Sequence, residues 1–382
     1  MALPQRVLTE QEAISVHLRY LANHLGPRPV GSDALSRARW YIVDTLKRLG
    51  FSPEMQAFPT KVPLNAHSQL LTKDGRSIPC RPVIGSLPTL GPLRGIPRHL
   101  STGERPEFEP PFAFALSPLG FGSEGHAVAA AARRGATAAL LYREQVPELY
   151  SAVIAERAVA VPCVTIRPAD ALQLAREAVE IELTVEAEPT DVLAENIMVD
   201  IGKGGRALLL LAHYDTRPGS PGAYLNASGV AALLELVARL KQWRGRRILV
   251  GFLDGEEIGA AGSRHCREVL EAMGLLAGIQ GVVYVSGLGL RALSVLPGTR
   301  PARSRLVERA GRYAAEEGMQ RSPHSLLAAE QSVPTRIWNC PVIGMTGPSL
   351  AVQHTALDRP HLLHPRFISR AVSVLERLVQ TF

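Results

Sequence analysis

Two uninterrupted apolar runs constrain the fold of this chain more than any other feature. ALLLLAHYD spans residues 207–215 and RRILVGFLD spans residues 246–254. Apolar runs without polar alternation are typical of parallel β-strands that are covered on both faces. Between them we predict a helix, capped by Ser228, with an inward-facing apolar stripe of Val230, Leu233, Leu234, Val237 and Leu240. This order predicts an α/β fold, with a doubly wound and mostly parallel sheet flanked by helices.

The remaining chain divides into helical ends, further core strands and a middle segment of different character. Amphipathic helices are predicted over residues 9–25, 34–49 and 367–378, and core strands over residues 282–287 and 341–347. Prolines and glycines are dense between residues 79 and 118, and short extended pieces lie between them. We therefore predict a main domain of residues 1–58 and 190–382, into which residues 59–189 are inserted as a smaller α+β, β-rich domain.

Composition restricts the class of partner and the cellular location. The chain has 382 residues, of which 46% are hydrophobic and 20% are charged, as in a soluble globular protein. Its net charge is +7, but only five basic residues are lysines and the arginines are scattered, so no nucleic-acid partner is expected. The four cysteines are far apart and are predicted to be buried thiols. No signal-like leader or membrane-length apolar run is present, so we expect no membrane partner and a cytoplasmic location, or secretion if a signal was trimmed.

Titratable residues cluster where the predicted strands end. His213 and Asp215 follow the first apolar run, Glu256 and Glu257 follow the second, and His354 lies beyond the last core strand. An imidazole can bind zinc, and one of two adjacent carboxylates can bind a metal while the other removes a proton from water. Each feature alone has an ordinary structural explanation, as a buried histidine or an acidic turn before a helix. Because ligands collect at the carboxyl ends of parallel strands, the features together predict one metal-dependent site.

These residues lie within segments that resemble the M28 family of zinc aminopeptidases, whose relatives include carboxypeptidase-like and glutaminyl-cyclase-like enzymes. The similar segments are GPRPVGS at 26–32, LAHYDTRPGSPGAYLNASGVAALLELVARL at 211–240, FLDGEEIGAAGS at 252–263 and HTALD at 354–358. The inserted segment resembles the protease-associated (PA) domain that some members carry, mainly at RRGATAALLY and AVPCVTI. The resemblance implies a zinc-exopeptidase-like fold.

Carried over by position, the resemblance implies a role for each residue of the predicted site. His213 becomes a ligand of one zinc ion, and Glu257 and His354 become ligands of a second. Glu256 becomes the general base, and Asp215 the carboxylate that orients His213. The implied partner is a peptide or a small amino-acid-derived ligand.

The chain departs from the family pattern at the residues that would join the two metals. The family commonly has a polar residue and a bridging aspartate before Asn-Ala-Ser-Gly, where this chain has Tyr224 and Leu225. Ser286 stands where a further aspartate ligand is expected, and a Ser-Asp-His segment is replaced near residues 329–331. Two dications ~3.5 Å apart repel by on the order of 20 kcal/mol at an effective dielectric of ~20, and leucine cannot offset this. The sequence therefore predicts one zinc ion at most.

Three hypotheses follow. In the first, which we prefer, the chain is an M28-type scaffold with a degraded metal site that binds a peptide-like ligand with little or no hydrolysis. In the second, one zinc held by His213, Glu257 and His354 supports aminopeptidase or related acyl-transfer chemistry, with Glu256 as general base. In the third, the PA-like insert captures a partner protein and the residues of the site are inert.

Overall fold

The computed structural model describes residues 8–63, 66–99, 112–116, 124–154, 161–297, 305–321, 337–348 and 351–382. The described α-helices are α1 (Glu10–Leu18), α2 (Asp33–Arg48), α3 (Glu124–Arg133), α4 (Pro168–Glu177), α5 (Ser228–Arg239), α6 (Ala261–Ala272), α7 (Arg305–Glu316) and α8 (Pro365–Thr381). The first nine strands are β1 (Glu54–Val62), β2 (His67–Thr72), β3 (Cys80–Pro82), β4 (Leu93–Gly95), β5 (Pro97–His99), β6 (Phe112–Leu116), β7 (Ala138–Tyr142), β8 (Cys163–Ile166) and β9 (Ile181–Glu186). The others are β10 (Thr190–Ile201), β11 (Lys203–His213), β12 (Arg246–Leu253), β13 (Ile279–Val285), β14 (Ala292–Pro297), β15 (Gln320–Arg321) and β16 (Val342–Thr346).

An eight-stranded mixed sheet forms the centre of the protein, in the order β1-β10-β12-β11-β13-β16-β14-β15. The four central strands, β12, β11, β13 and β16, are parallel, as the apolar runs predicted. Towards the edges, β1 pairs with β10, β10 with β12, and β14 with β16 in antiparallel fashion. The predicted α/β fold is confirmed, and the sheet is parallel at its centre and mixed at its edges.

The two faces of β11 belong to different parts of the core. Leu208 and Leu210 pack with α5 and α8 on one face, whereas Leu209 and Leu211 pack with α6 on the other. Alternate side chains of a strand point to opposite faces, so a strand covered on both sides needs apolar residues throughout. The double cover explains why β11 is one continuous apolar run.

The segment between the main-sheet strands β1 and β10 contains two smaller sheets. One has the order β2-β9-β4 and the other has the order β3-β8-β7-β6-β5. Two further hydrophobic clusters, drawn only from described residues between 66 and 187, pack around these sheets. Because β1 runs to Val62, the predicted boundary at residue 59 falls inside a strand of the main sheet, and the division into two domains stays a prediction.

Three local predictions have clear outcomes. Thr9 and Glu12 form the predicted capping box at the start of α1. Ser228 does not cap α5, because its hydroxyl donates to the carbonyl oxygen of Tyr224 at 2.5 Å, and a π-helical turn, Ala223–Ala227, precedes the helix. Two of the four cysteines, Cys80 and Cys340, are only half-buried, in contrast to the predicted set of buried thiols.

The helical stretch Ala223–Gln242 is the one described segment with the length and apolar character of a membrane span. Its mean hydropathy is 1.2, and 83% of the tested window is buried inside the protein. A helix at the centre of a globular core has the same character, because all of its sides contact other elements. The stretch is therefore accounted for as the core helix of this fold.

Helix α5 approaches β13 so closely that only glycine fits at one point of contact. A Cβ atom added at Gly229 would lie 2.2 Å from the carbonyl oxygen of Val285. We expect Gly229→Ala to lower the free energy of unfolding by about 1–3 kcal/mol, because the helix must move away from the strand. Urea denaturation of the purified variant measures the change.

Gly311 in α7 is the matched control, because an added Cβ there meets no atom within 4 Å. Gly311→Ala should raise the free energy of unfolding by roughly 0.5–1 kcal/mol, as alanine usually does within a helix. A stabilising effect at Gly229 as well would contradict the close contact.

Candidate functional site

The carboxyl ends of β11 and β12 bring four of the predicted site residues together. His213 is the last residue of β11, and its Nδ1 lies 3.3 Å from Oδ1 of Asp215. The other oxygen of Asp215 accepts a hydrogen bond of 3.0 Å from the backbone N–H of Glu257, which lies beyond the end of β12. Nδ1 of His354 is 3.8 Å from Oε1 of Glu257. The fully buried Asp215 therefore holds His213 and Glu257 side by side, with His354 against Glu257.

Burial and charge act in opposite directions on His213. Burial alone lowers the pKa of its imidazole, but the hydrogen bond and negative charge of Asp215 raise that pKa to about 9. A carboxylate fixed beside a ring nitrogen also sets the orientation of the imidazole. This is the arrangement that the resemblance implied for Asp215.

Arg217 forms an ion pair with Glu257 that the sequence did not reveal. Its Nε donates to Oε2 of Glu257 at 2.8 Å, and both residues are buried. Burial raises the pKa of Glu257, but the charges of His354 and Arg217 outweigh it and lower this pKa to about 2. The only signal in the sequence was an arginine two positions after Asp215, within an otherwise uncharged turn.

Asn226 occupies the space between the predicted ligands. Its Nδ2 donates to Oε1 of Glu257 at 2.9 Å and to the backbone carbonyl of Asp215 at 2.7 Å. The same nitrogen lies 3.2 Å from Nδ1 of His213. An amide N–H₂ group has no lone pair to offer a cation. This nitrogen therefore holds the three residues together by hydrogen bonds and cannot serve as a metal ligand.

Glu256, which precedes Glu257 in the turn after β12, is held by a chain of hydrogen bonds. Its carboxylate accepts bonds from the backbone N–H of Ser263 at 3.2 Å and from the Ser263 hydroxyl at 2.8 Å. That hydroxyl is 2.6 Å from the Tyr284 hydroxyl, to which Nε1 of Trp338 donates at 2.9 Å. Burial raises the pKa of Glu256 to about 7, although the charge of His213 acts to lower it. Such a group can accept a proton near neutral pH.

The positions that depart from the family pattern are buried at the same edge of the sheet. Leu225 is 7% exposed and Ser286 is 8% exposed. They are linked through Gly287, whose N–H donates to the carbonyl of Leu225 at 3.3 Å. Oδ1 of Asp358 fixes the turn of Leu225 by accepting from the N–H of Tyr224 at 2.6 Å. Residues 329–331 lie outside the described part of the chain.

The inserted segment contacts this site directly. The carbonyl oxygen of Ser151 accepts from Nη1 of Arg217 at 3.1 Å, and its N–H donates to the carbonyl of His354 at 2.9 Å. His354 has a φ of 60°, a left-handed conformation that non-glycine residues adopt at some cost in energy. Nη1 of Arg81 also donates to the carbonyl of Pro218 at 2.6 Å. Residues of the insert thus fix both Arg217 and His354.

Arg28 anchors the loop that carries Asp215 and Arg217. The fully buried guanidinium donates to the carbonyls of Tyr214 at 3.0 Å and Pro221 at 2.9 Å, which lie near the two ends of that loop. It also donates to the carbonyls of Leu21 and Gly26. Burial lowers the pKa of Arg28 to about 10, and the charges of Asp358 and Asp215 limit the decrease. The sequence had indicated only a turn at this arginine.

The arrangement does not fit a zinc ion as it stands. A structural or catalytic zinc needs at least three side chains whose lone pairs converge on one point. Among the described ranges, no group of three or more His, Cys, Asp and Glu side chains is placed to hold a metal. Both oxygens of Glu257 accept hydrogen bonds from nitrogen donors, which compete with a metal for their lone pairs.

Comparison with known proteins agrees with the resemblance seen in the sequence. Residues 196–333 match the family described as peptidase family M28. Part of the chain is therefore similar to M28 peptidases. The chain is 28% identical over 290 residues to a protein of Mycobacterium tuberculosis named a probable lipoprotein aminopeptidase, LpqL. The match covers 71% of this chain and 57% of that relative, so the chain spans little more than half of the relative's length.

Solved structures show the same fold at low identity. A zinc aminopeptidase from Bacillus subtilis has a TM-score of 0.80 and 21% identity, with coverage of 99% of this chain and 96% of that one. A glutaminyl cyclase from Fimbriiglobus ruber has a TM-score of 0.57 and 13% identity, with coverage of 100% and 97%. The M28 aminopeptidase fold is thus confirmed.

Asp254, which directly follows β12, allows a test of the electrostatics around Asp215. Burial, followed by the negative charge of Asp215, raises its pKa from 3.8 to about 7. The unfolded chain therefore loses this proton first as pH rises, and the free energy of unfolding falls between about pH 4 and 7. Asp254→Asn should remove this fall, which has a slope of at most about 1.4 kcal/mol per pH unit. Urea denaturation at several pH values measures it.

Asp191→Asn is the control, because the side chain of Asp191 is 82% exposed. The unfolding profile of this variant should run parallel to that of the wild type. A parallel profile for Asp254→Asn would show that Asp254 ionises normally in the folded protein.

Proposed function

We propose that the chain is an M28-type scaffold that binds a peptide-like ligand at the strand-end site and hydrolyses peptides weakly or not at all. The observation that carries this proposal is the commitment of Glu257 to Arg217 and Asn226. A zinc ligand needs a lone pair directed at the metal, and hydrogen bonds to N–H groups use the same lone pairs. The buried Leu225 adds no ligand atom at this edge of the sheet.

Other features of the site support a peptide-like ligand. Glu256 is half-buried at the carboxyl ends of the strands, where α/β folds bind their ligands. A carboxylate in this position can pair with the amino terminus of a peptide. Two of the similar proteins described above are named aminopeptidases, a class of enzyme that acts on such termini.

Metal content and hydrolysis, measured on one preparation, test the proposal. The protein is purified after growth with zinc, its metal is measured by mass spectrometry, and aminoacyl-nitroanilide cleavage is compared between wild type and Glu256→Gln. We expect far less than one zinc per chain and no cleavage that depends on Glu256. Calorimetry with short unblocked and N-acetylated peptides then tests for a ligand held by its amine. Stoichiometric zinc together with cleavage abolished by Glu256→Gln would disprove the proposal.

A single-zinc aminopeptidase or acyl-transfer enzyme is the second candidate. The contact between His354 and Glu257 favours it, because two of the three required residues already lie together. The fold shared with a glutaminyl cyclase is consistent with the acyl-transfer form. This candidate requires the donors of Arg217 and Asn226 to leave Glu257, and the zinc measurement above separates it from the first.

The location of the chain is also open to test. The relative from Mycobacterium tuberculosis is named a lipoprotein, which supports the alternative location outside the cytoplasm. Fractionation of cells that express the protein with its natural flanking sequence measures the compartment in which it accumulates. Recovery in the cytoplasmic fraction alone would favour the location first predicted.

A further inference from the structure

We propose that Arg217 is a resident cation that stands in place of a metal ion beside Glu257, and that its removal converts the site into one that binds a divalent cation. The inference rests on the proposed function, in which the natural site works without zinc. It adds a specific cause, since of the two donors to Glu257 the guanidinium of Arg217, which also carries a positive charge, is held to be the main obstacle to a metal.

The position of the guanidinium carries the inference. Nε of Arg217 lies 2.8 Å from Oε2 of Glu257, and their side chains are only 10% and 6% exposed. A buried carboxylate is stable only if an opposite charge or several donors compensate it. In this site Arg217 supplies such a charge.

The residues around Glu257 include the side-chain types of a zinc site, but the guanidinium and the amide of Asn226 each donate to one of its carboxylate oxygens. Nδ1 of His354 is 3.8 Å from the carboxylate, and His213 is joined to it through Asn226 and Asp215. Two imidazoles and one carboxylate are a common catalytic zinc ligand set. A guanidinium carries the same sign of charge as zinc but no lone pair, so the two compete for one carboxylate.

The insert holds the competing charge in place. The carbonyl of Ser151 accepts from Nη1 of Arg217, at the opposite end of the guanidinium from Glu257. The N–H of Ser151 independently holds the carbonyl of His354. Loss of the arginine therefore leaves His354 beside Glu257 and frees Oε2 of Glu257, while Asn226 still donates to Oε1.

Zinc titration of matched variants tests the inference. Purified wild type, Arg217→Met, Arg217→Lys and the double variant Arg217→Met/Glu257→Gln are titrated with zinc chloride by calorimetry. We expect Arg217→Met to bind one zinc at least tenfold more tightly than wild type, on the scale of about 10–100-fold for changes around metal ligands. Arg217→Lys keeps a charge and should resemble wild type, and the double variant should lose the gain. Cobalt absorption spectra of Arg217→Met should report coordination by imidazole and carboxylate.

The outcomes separate this inference from the proposed function. If wild type binds zinc as tightly as Arg217→Met, both are wrong. If neither wild type nor Arg217→Met binds zinc, the inference is wrong, and the proposed function, which needs no zinc, is not contradicted. If Arg217→Met does not fold, Arg217→Ala takes its place, because it also removes the guanidinium and adds no new donor to Glu257. Absence of zinc binding by folded Arg217→Ala then overturns the inference.

Discussion

Replacement of Arg217 by methionine is expected to lower the free energy of unfolding by about 3–5 kcal/mol, measured in zinc-free buffer. The substitution keeps an unbranched side chain as far as the position of Nε but leaves the buried Glu257 without its nearest charge. His354 and Asn226 remain next to the carboxylate, but the loss of one partner of a buried charge still costs several kcal/mol, much more than the loss of an exposed ion pair. Urea denaturation with a metal chelator present measures the effect.

A double-mutant cycle distinguishes loss of the pair from loss of packing. Arg217→Met/Glu257→Gln removes both charges, and its stability should lie closer to wild type than that of Arg217→Met. Additive effects of the two substitutions would mean that Arg217 and Glu257 do not stabilise one another. Arg94→Met is an exposed control, since its ion pair with Glu182 lies on the surface of the insert and is worth at most about 1 kcal/mol.

Replacement of Arg28 by methionine is expected to cost a similar amount, about 3–5 kcal/mol, for a different reason. The guanidinium donates to four backbone carbonyls, and methionine leaves all of them without this donor. Each buried group without a partner costs roughly 1–3 kcal/mol, less whatever relaxation of the loop recovers. Thermal and urea denaturation give the change in stability.

Arg28→Lys is the matched variant, because it keeps the charge while offering fewer and less widely spaced donors. We expect it to recover only part of the loss. Full recovery would indicate that Arg28 acts through its charge near Asp358 and Asp215 and not through the backbone bonds. Fluorescence of the intrinsic tryptophans, which include Trp338 next to Tyr284, checks that the fold is kept.

The central sheet could be predicted because a strand that is buried on both faces must be apolar at every position. The ends of β11 and β12 followed from the first polar residues after the two apolar runs. The antiparallel edges could not be predicted in the same way. The direction in which two strands pair depends on how distant segments of the chain meet. Nothing in the sequence of β10 indicates that it pairs with β12 in antiparallel orientation.

The residues of the candidate site could be proposed from the sequence because strand ends converge and each residue carries a recognisable chemical group. Arg217 and Asn226 were not predicted, because their role depends on which acceptor they reach after folding. Arg217 and Glu257 are 40 residues apart in sequence, and nothing local links them. Ser151 carries no signal of any kind, since its backbone and not its side chain makes the contacts with Arg217 and His354.

The helix that begins at Ser228 was predicted correctly, but the predicted capping role of Ser228 was wrong. The Asn-Ala-Ser-Gly sequence indicated a helix start, and α5 does begin at Ser228. The hydroxyl is engaged by the preceding turn and by the N–H of Leu288 at 2.8 Å, so it cannot cap the helix. Tertiary packing of the apolar stripe, and not the cap, defines this helix.

The pairing of β1 with β10 makes the insert removable by protein engineering. Val62 and Thr190 are paired at the ends of these antiparallel strands, so the inserted segment begins and ends at neighbouring positions of the main sheet. A tight Asn-Gly turn could join the two strands into a hairpin without disturbing the main sheet. Such a shortened chain would keep Glu257 and Arg217 but lack Ser151. It would therefore test directly what the inserted segment contributes to the geometry of the site.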